Sequence, residues 1–506
     1  MALSSIPSLT ARRTNVRLTR TLAPPSDSPS RLGISSPPVA RIVVVGAGVA
    51  GLATGIRLAD FGHQVSILEQ SSKAGGQIGI ETIDGLPVDT GPTSFTLPAV
   101  FRDLFSKTGR PLNREVDLVP LTPSVRYVFP DGSHLDIPNA SRAETTRAID
   151  EAFGTGVGAQ WDRLIQDARN MWEVLRPRLV DHCPSLRDIA WLALHPRARR
   201  TLQRGKSLRE FGAQHLREPH LQLVLEAYAT SLGGIPSRTP AALAALAYVE
   251  QTFGTWTVAG GLPAFVEAME RRFTERGGEI RLESQATRVV TKAGAVKAVE
   301  LAGGERVPAE FVVCTVPAGQ LELDGVRGRR WTSPPAEGRS VFTILMSLRS
   351  RPSFPQRTVL LTDDGPNVTL TYRAGTDPAK PCALALHADC SAHGAEPKLT
   401  DWTAPGAADT HAQQLLGLAA ARGVDLKAQA MSLRSRTPHD LEETLGAPGG
   451  RIYGMPWHGG SSIRRRLANR SPVHGLYFAG ASAHPGAGLP MVAISAMLVT
   501  DLIGRA

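Results

Sequence analysis

Residues 42–69, "IVVVGAGVAGLATGIRLADFGHQVSILE", decide the fold of the N-terminal part of the chain. The run "IVVV" (42–45) is short, apolar and β-branched, which is typical of a parallel strand buried on both faces. Gly46, Gly48 and Gly51 follow in a GxGxxG spacing, and a helix-forming stretch comes next. In this setting the first glycine permits a tight turn, the second lets the backbone approach a pyrophosphate, and the third lets the helix pack closely on the strand. The stretch therefore predicts a dinucleotide-binding strand, turn and helix.

The next strand ends in an acidic residue at the spacing that such a site needs. "QVSILEQ" (64–70) contains Glu69, eighteen residues after the third glycine. A carboxylate in this place accepts hydrogen bonds from an adenosine ribose and repels a 2′-phosphate, so NADP is not expected. Gly75 and Gly76 and the stretch "GLPVDTGPTSF" (85–95) follow closely. They predict a cofactor that extends beyond the adenosine toward the middle of the fold, and FAD meets that requirement.

Composition sets further bounds. The chain has 506 residues, enough for two or three domains with cores of their own. Hydrophobic residues make up 42% of the chain, but the longest apolar stretches fall far short of the roughly 18 residues of a membrane span. The four cysteines are scattered, with no CxxC pair, which favours reduced thiols over disulfides or a zinc site. We expect no membrane-spanning helix and no metal site.

The net charge of +10 is partly local. Residues 1–40 hold five arginines and one acidic residue, are rich in Ser, Pro and Thr, and lack apolar periodicity, so we expect a disordered leader. An organelle transit peptide, a start codon placed too early and a solvated tail all remain open as its explanation. No helix-turn-helix, zinc-finger or RRM signature accompanies the basic charge, and nucleic acid is not an expected partner. A cytoplasmic location is predicted, with the membrane surface and leader-directed organelle targeting as alternatives.

Three further stretches extend the pattern of the N-terminus. They begin with "SLREFGAQHL" (207–216), "TPHDLEETLG" (437–446) and "RRLANRSPVH" (465–474), and the last continues into "YFAGASAHPGAGLPM" (477–491). Together with the N-terminus they resemble the bacterial phytoene desaturase family, the carotenoid desaturase branch of the FAD-dependent amine oxidase superfamily. The resemblance implies an α/β fold with a discontinuous Rossmann-type FAD-binding domain and an α+β substrate domain. It also implies noncovalent FAD and removal of a hydride and a proton from a long hydrophobic polyene.

The resemblance assigns site residues one by one. Gln77 departs from the family, which usually has a basic residue there, and "CTVPAGQ" (314–320) is closer to amine oxidases. Ala481 stands where amine oxidases usually have an acid, which favours the carotenoid branch. The candidates near the flavin for catalysis are His484 and Asp89, with a structural role as the alternative for His484. The predicted cofactor site comprises Gly46, Ala47, Gly48, Gly51, Glu69, Gly75, Gly76, Gln77, Gly91, Pro92, Gly260, Gly261, Val289, Gly480, Ala481, Gly488 and Met491.

Cofactor segments separated by insertions predict that the chain leaves the FAD-binding domain and returns to it twice. Between the insertions, "HADCSAH" (387–393) offers two histidines and a cysteine, which we interpret as a surface loop and not as a metal site. The predicted FAD-binding domain comprises residues 41–110, 255–325 and 450–506, and the predicted substrate domain comprises residues 111–254 and 326–449.

Residues 176–217 combine basic charge with apolar residues at helical spacing around Trp191. A basic amphipathic helix of this kind can lie in a lipid interface, from which a bilayer-dissolved polyene would be taken. A helix packed on its own domain, with the arginines solvated, is the alternative.

Three functions remain in competition. The first is an FAD-dependent carotenoid desaturase, with oxygen or a quinone as electron acceptor. The second is a flavin-dependent oxidase, isomerase or saturase of another hydrophobic metabolite, which the stretch 314–320 favours. The third is a non-catalytic prenyl-lipid-binding protein of the same fold, against which the intact glycine sets and Glu69 argue.

Overall fold

A computed structural model describes residues 39–506 except 329–332, 374–376, 378, 397 and 461. The predicted disordered leader, apart from its last two residues, lies outside the described residues. Residues 39–506 form one compact unit.

Strands and helices are numbered here in chain order over the described residues. The strands are β1 Arg41–Val45, β2 Gln64–Leu68, β3 Ile80–Ile83, β4 Leu86–Asp89, β5 Leu118–Pro120, β6 Val125–Val128, β7 His134–Ile137, β8 Trp256–Val258, β9 Glu279–Arg281, β10 Ala286–Lys292, β11 Ala295–Leu301, β12 Arg306–Pro308, β13 Phe311–Cys314, β14 Glu322–Leu323, β15 Arg339–Leu348, β16 Arg357–Leu360, β17 Val368–Tyr372, β18 Cys382–Ser391, β19 Ala430–Arg436 and β20 Leu476–Phe478. The helices are α1 Val49–Asp60, α2 Pro98–Lys107, α3 Arg142–Phe153, α4 Val157–Leu179, α5 Leu186–Leu194, α6 Pro196–Thr201, α7 Leu208–His215, α8 Pro219–Thr230, α9 Ala245–Phe253, α10 Leu262–Glu275, α11 Ala407–Ala421, α12 Pro438–Leu445, α13 Ser462–Arg465 and α14 Leu489–Ile503, with short 3₁₀ turns at Leu112–Arg114, Ala241–Ala244 and Pro448–Gly450.

A five-stranded parallel sheet carries the predicted dinucleotide-binding unit. Its strand order is β20-β13-β1-β2-β9, with β1 paired to β2 and to β13. The strand β1 carries apolar residues on both faces, as expected for a strand that is covered on both sides. On one face Ile42 and Val44 pack with residues of α1, α10 and α14. The predicted strand, turn and helix are confirmed, and the strands of this sheet come from distant parts of the chain.

A second, mixed sheet has seven strands in the order β19-β15-β18-β17-β16-β6-β7. Its core includes Phe342 and Leu386 and is closed on one side by α11. Helices α3, α4, α7, α8 and α9 pack around Trp161 in a separate apolar cluster that also takes in Val359 and Leu361 beside this sheet. An α+β arrangement therefore accompanies the parallel sheet, while the predicted domain boundaries stay a prediction.

The basic segment 176–217 differs from the expectation of one amphipathic helix. It contains the end of α4, then α5, α6 and α7, with breaks after Leu179, Leu194 and Thr201. The break between α5 and α6 occurs at His195 because Pro196 has no backbone N–H to continue the first helix. Among the described residues no helix combines the length and the apolar character needed to cross a membrane.

Candidate functional site

The carboxyl ends of the parallel strands open into a cavity of about 360 Å³. Gly46 follows β1, Glu69 follows β2, Thr315 follows β13 and Gly480 lies just after β20, and all four line it. This is the edge of an open α/β sheet at which nucleotide ligands bind. The structure brings ten of the predicted cofactor residues into its lining: Gly46, Gly48, Glu69, Gly75, Gly76, Gln77, Pro92, Gly480, Ala481 and Gly488.

The glycine turn has the geometry that a pyrophosphate requires. A Cβ built on Gly51 would lie 1.8 Å from the carbonyl oxygen of Gly46, so no side chain fits where α1 packs against the turn. A Cβ built on Gly48 would lie 3.8 Å from the Cα of Gly76 and would otherwise face the cavity. The turn thus leaves bare backbone at the N-terminus of α1, where free N–H groups and the helix dipole favour phosphate.

Glu69 is buried beside this turn, and its carboxylate is held in place by two backbone donors. Ala47 N–H donates to Oε2 at 2.7 Å, and Ser71 N–H donates to Oε1 at 2.9 Å. An ionised carboxylate oxygen accepts about two hydrogen bonds, so both oxygens keep acceptor capacity toward the cavity. Bare backbone for the phosphates and an oriented carboxylate for a ribose fit the dinucleotide part of FAD.

Two predicted residues lie behind this lining in packing positions. A Cβ on Gly91 would lie 1.8 Å from the carbonyl oxygen of Gln77, so Gly91 supports the turn from behind. Ala47 acts through its N–H on Glu69. Met491 lines a second, larger cavity, and Val289 is buried in the core of the small sheet that contains β10 and β11.

Gly260, Gly261 and the catalytic candidate Asp89 cluster around Arg373, outside the lining of both cavities. Arg373 Nη2 donates to the carbonyl oxygen of Gly260, and its Nε lies 3.4 Å from Asp89 Oδ1. Burial raises the pKa of Asp89, and the guanidinium of Arg373 opposes that rise. In this structure Asp89 is buried and forms an ion pair with Arg373.

Some lining residues were missed by sequence reasoning. Thr315 Oγ1 donates to the carbonyl oxygen of Val45 at 2.8 Å and ties β13 to the glycine turn. Arg451 is half-buried and lines the cofactor cavity, where the departure at Gln77 left no basic residue. Burial lowers the pKa of Arg451, yet a guanidinium stays protonated. The signal for Arg451 was its place in the family-like stretch that begins at residue 437.

A second cavity, of about 960 Å³, adjoins the first. Apolar side chains from α4, α5 and α9 form much of its wall, among them Leu175, Ile189 and Leu246. The two cavities share lining residues from three chain segments, one of which is the turn before α14. We refer to the place where the two cavities meet as the junction. The shared residues are Ser94, Ser231, Leu232, Ala487, Gly488 and Leu489.

His484 lines the larger cavity near this junction but is fixed as a neutral side chain. Its ring Nε2 lies 2.5 Å from the carbonyl oxygen of Leu179, and its own carbonyl accepts hydrogen bonds from Ser495 Oγ and Asn469 Nδ2. Burial lowers the pKa of His484 to about 4. Because the neutral ring donates from Nε2 to Leu179, the geometry favours the structural alternative for His484.

The interpretation of "HADCSAH" as a surface loop is wrong. His387 and Cys390 lie on β18 of the seven-stranded sheet, where Cys390 is buried in the core and His387, on the opposite face of the strand, is half-buried. Burial lowers the pKa of His387 to about 4, and its Nδ1 lies 3.0 Å from Thr343 Oγ1. His393, just after the strand, has a ligand atom within 4.8 Å of those of His439 and Glu442, and its Nδ1 accepts a hydrogen bond from the backbone N–H of Trp402.

At its solvent side the larger cavity is bordered by exposed leucines. Leu186 and Leu194, at the two ends of α5, have 84% and 71% of their surface exposed and line the cavity. Trp191 between them is covered by the guanidinium of Arg178, 3.5 Å from its ring centre, and stacks on His195. We refer to Leu186 and Leu194 as the mouth of the cavity.

The sequence is similar to those of known flavoproteins and carotenoid-modifying proteins. A family model described as flavin containing amine oxidoreductase matches residues 49–407. The chain is 30% identical to a hydroxyneurosporene desaturase of Rubrivivax gelatinosus over 92% of this chain and 93% of the relative. It is 28% identical to a 4,4'-diapolycopene oxygenase of Methylomonas sp over 92% and 98%, and 26% identical to a neurosporene-forming phytoene desaturase of Cereibacter sphaeroides over 91% and 94%.

Solved structures share the fold at lower identity. An oxidoreductase from Methanosarcina mazei superposes with a TM-score of 0.63 at 15% identity, covering 91% of this chain and all of that one. A putrescine oxidase with bound putrescine superposes with a TM-score of 0.61 at 17% identity, covering 92% of this chain and all of that one.

Proposed function

The chain belongs to the family of flavin-containing amine oxidoreductases, and we propose that within this family it is an FAD-dependent desaturase of long carotenoid-type polyenes. One observation carries the proposal: an apolar cavity of about 960 Å³ meets the dinucleotide-binding cavity at Gly488. A ligand that extends from the adenosine site brings its reactive end to this junction, and a long apolar molecule reaches the same place from the other side.

Residues of this chain bind and orient the two partners. The backbone of Gly46 to Gly48 would hold the pyrophosphate, and Glu69 would hold the ribose. Bound FAD supplies the two-electron oxidation, which the protein itself has no group to perform. The helix α14 begins directly after Gly488, so its positive end faces the junction and stabilises negative charge there. The apolar wall keeps water away from the reacting carbon atoms.

The many apolar residues that line the larger cavity and one position of the cofactor cavity favour a polyene over a small amine. Ala481 lines the cofactor cavity at the position where the amine oxidase pattern has an acid, and this difference favours the carotenoid branch. The relatives at 26–30% identity are named for carotenoid reactions and span nearly the whole chain. A desaturase of such a molecule is therefore the function that the site supports best.

The test uses flavin-loaded protein and defined polyenes. We expect the purified protein to be yellow, and we expect phytoene, neurosporene or hydroxyneurosporene to give products with red-shifted absorption and two hydrogens fewer by mass. A protein that carries FAD and converts none of the three contradicts the proposal. Anaerobic reduction by the polyene, followed by addition of oxygen or a soluble quinone, distinguishes the two predicted electron acceptors.

We further propose that the mouth of the cavity rests on an anionic membrane surface. Leu186 and Leu194 are exposed beside the cavity, and Arg197, Arg199 and Arg200 are exposed on the adjoining helix α6. Near an anionic surface each basic residue contributes about 1 kcal/mol, and the leucines add apolar burial. A polyene dissolved in the bilayer would then enter the cavity without crossing water.

Flotation with phosphatidylserine-containing liposomes tests the membrane proposal. We expect Leu186→Ser combined with Leu194→Ser, and separately Arg197→Glu combined with Arg199→Glu and Arg200→Glu, to lower the bound fraction. Leu433→Ser is the matched control, because Leu433 on β19 is 42% exposed and lies outside both cavities. Undiminished binding of both variants would sink the proposal.

A further inference from the structure

Among the polar side chains that line the larger cavity, three also line a neighbouring small cavity and form one group. Tyr228 comes from α8, Glu250 from α9 and Arg357 from the start of β16, and all three line the cavity. They also line a small cavity of about 120 Å³ on their other side. They therefore form a polar wall between two cavities. The hydrocarbon part of a polyene does not pack favourably against such a wall.

The ion pair in this wall is loosely made. Arg357 Nη1 lies 3.4 Å from Glu250 Oε1, and this is the one side-chain hydrogen bond of either residue to the part of the chain that the structure describes. A guanidinium has five N–H donors, and a carboxylate has about four acceptor sites. The side chains keep 20% and 11% of their surface accessible although their neighbours are buried. Because both residues line the cavity, donors and acceptors of the pair are open to a ligand in it.

The polar wall lies near the junction with the cofactor cavity. Tyr228 lies about one helical turn before Ser231. Ser231 lines the larger cavity, the cofactor cavity and the small cavity. The exposed leucines of the mouth mark the solvent-facing side of the larger cavity. A long molecule that enters at the mouth thus presents its leading end to Arg357 and Glu250.

We propose that Arg357 and Glu250 bind a hydroxyl group at the leading end of the substrate, so that the enzyme selects polyenes with an oxygen-bearing end and oxidises carbon atoms near that end. This rests on the proposed function. A hydroxyl is the group that matches the pair, because it accepts from the guanidinium while donating to the carboxylate, whereas a hydrocarbon end leaves both unsatisfied. Tyr228 closes the wall beside them.

The experiment compares two polyenes that differ in the end group, neurosporene and hydroxyneurosporene, on the FAD-bound enzyme. We expect kcat/KM for the hydroxylated polyene to exceed that for the hydrocarbon by at least about tenfold, as for a hydrogen bond to a charged group. Binding is measured independently through quenching of tryptophan fluorescence by the polyene. The new double bond, located by NMR of the product, should lie in the half of the chain that bears the hydroxyl.

Removing both charges at once avoids leaving one of them buried alone. In the double variant Glu250→Gln and Arg357→Met, we expect the preference in both kcat/KM and binding to fall to less than about threefold. The matched control makes the same two changes in the ion pair of Glu226 and Arg209, which lies outside both cavities. That control should keep the wild-type preference.

The outcomes separate this inference from the function on which it rests. If wild-type enzyme converts both polyenes with equal kcat/KM, or if the double variant keeps the preference, the end-group inference is overturned and the desaturase proposal stands. If flavin-loaded wild-type enzyme neither binds nor converts either polyene, both are overturned. Retained FAD and an unchanged melting temperature in the double variant establish that a lost preference does not come from unfolding.

Discussion

The substitution Gly48→Ala separates cofactor binding from folding. Gly48 precedes α1 with φ −71° and ψ 177°, a conformation that alanine adopts readily. A Cβ there has one described neighbour within 4 Å outside the adjacent residues, the Cα of Gly76 at 3.8 Å, which is ordinary van der Waals contact. The free protein therefore loses about 0.5–1 kcal/mol, the cost of a poorer residue at the start of a helix.

The effect on FAD should be much larger than the effect on the fold. The added methyl group points into the cavity at the place where bare backbone has to approach the pyrophosphate. We expect the Kd for FAD to rise at least about tenfold, which corresponds to about 1.4 kcal/mol. Gly51→Ala is the contrast, because its Cβ would lie 1.8 Å from the Gly46 carbonyl oxygen. That oxygen would have to move by more than about 1 Å, which costs about 1–3 kcal/mol or more of folding free energy.

Two measurements decide the matter. Urea unfolding of the FAD-free proteins gives the change in folding free energy, and titration with FAD, followed through quenching of flavin fluorescence, gives the Kd. Gly48→Ala should stay close to the wild type in the first measurement and fail in the second, whereas Gly51→Ala should fail in both. A Gly48→Ala protein whose Kd lies within about threefold of the wild type would refute the placement of the pyrophosphate at this turn.

Three further predictions use other parts of the site. Gly488→Val should sharply lower the FAD content, because the valine side chain would stand at the junction of the two cavities. The backbone there has φ +109°, which strains a residue other than glycine by about 1–3 kcal/mol. Full flavin occupancy, measured by absorbance, would contradict this prediction. Glu69→Ala should weaken FAD binding and destabilise the protein by about 1–3 kcal/mol, because the backbone N–H groups of Ala47 and Ser71 lose their hydrogen-bond acceptor. Urea unfolding measures this loss of folding free energy. His484 should make the protein less stable as the pH falls from 6.5 toward 4, by up to about 3 kcal/mol, because the unfolded chain with its ordinary pKa of 6.5 binds a proton before the folded chain does. His484→Gln should flatten this part of the stability profile, and an unchanged slope would show that other groups cause it.

The sequence predicts the cofactor site well where the chemistry depends on local backbone geometry. The spacing of Gly46, Gly48 and Gly51 encodes a turn that needs no information from the rest of the chain, and Glu69 follows it at a distance fixed by one helix and one strand. The parallel sheet confirms the strand, the turn and the helix, while the assignment of these residues to a cofactor stays a prediction. Arg451 could not be placed in the same way, because its approach to the turn depends on how a segment about 400 residues later packs.

Two positions show what the sequence pattern leaves out. Asp89 belongs to a family-like stretch, but its ion-pair partner Arg373 lies far along the chain, so the ion pair is not visible in the sequence. The catalytic role of Asp89 stays a prediction. "HADCSAH" has polar residue types that are typical of a loop, yet residues 387–391 belong to the strand β18, on which Cys390 is buried and His387 is half-buried. Polarity of a residue type indicates exposure only where no neighbouring layer covers it.

The most informative contacts for substrate choice join segments that are far apart in the chain. Arg357 and Glu250 are 107 residues apart. Residues around the cofactor have to fit one molecule, so their pattern is constrained by FAD. Residues that contact the end of the substrate have to fit only the molecule that this enzyme oxidises. An ion pair in the wall of the larger cavity carries a desolvation cost that apolar residues would not impose. That cost is best explained if the substrate itself completes the hydrogen bonds of the pair.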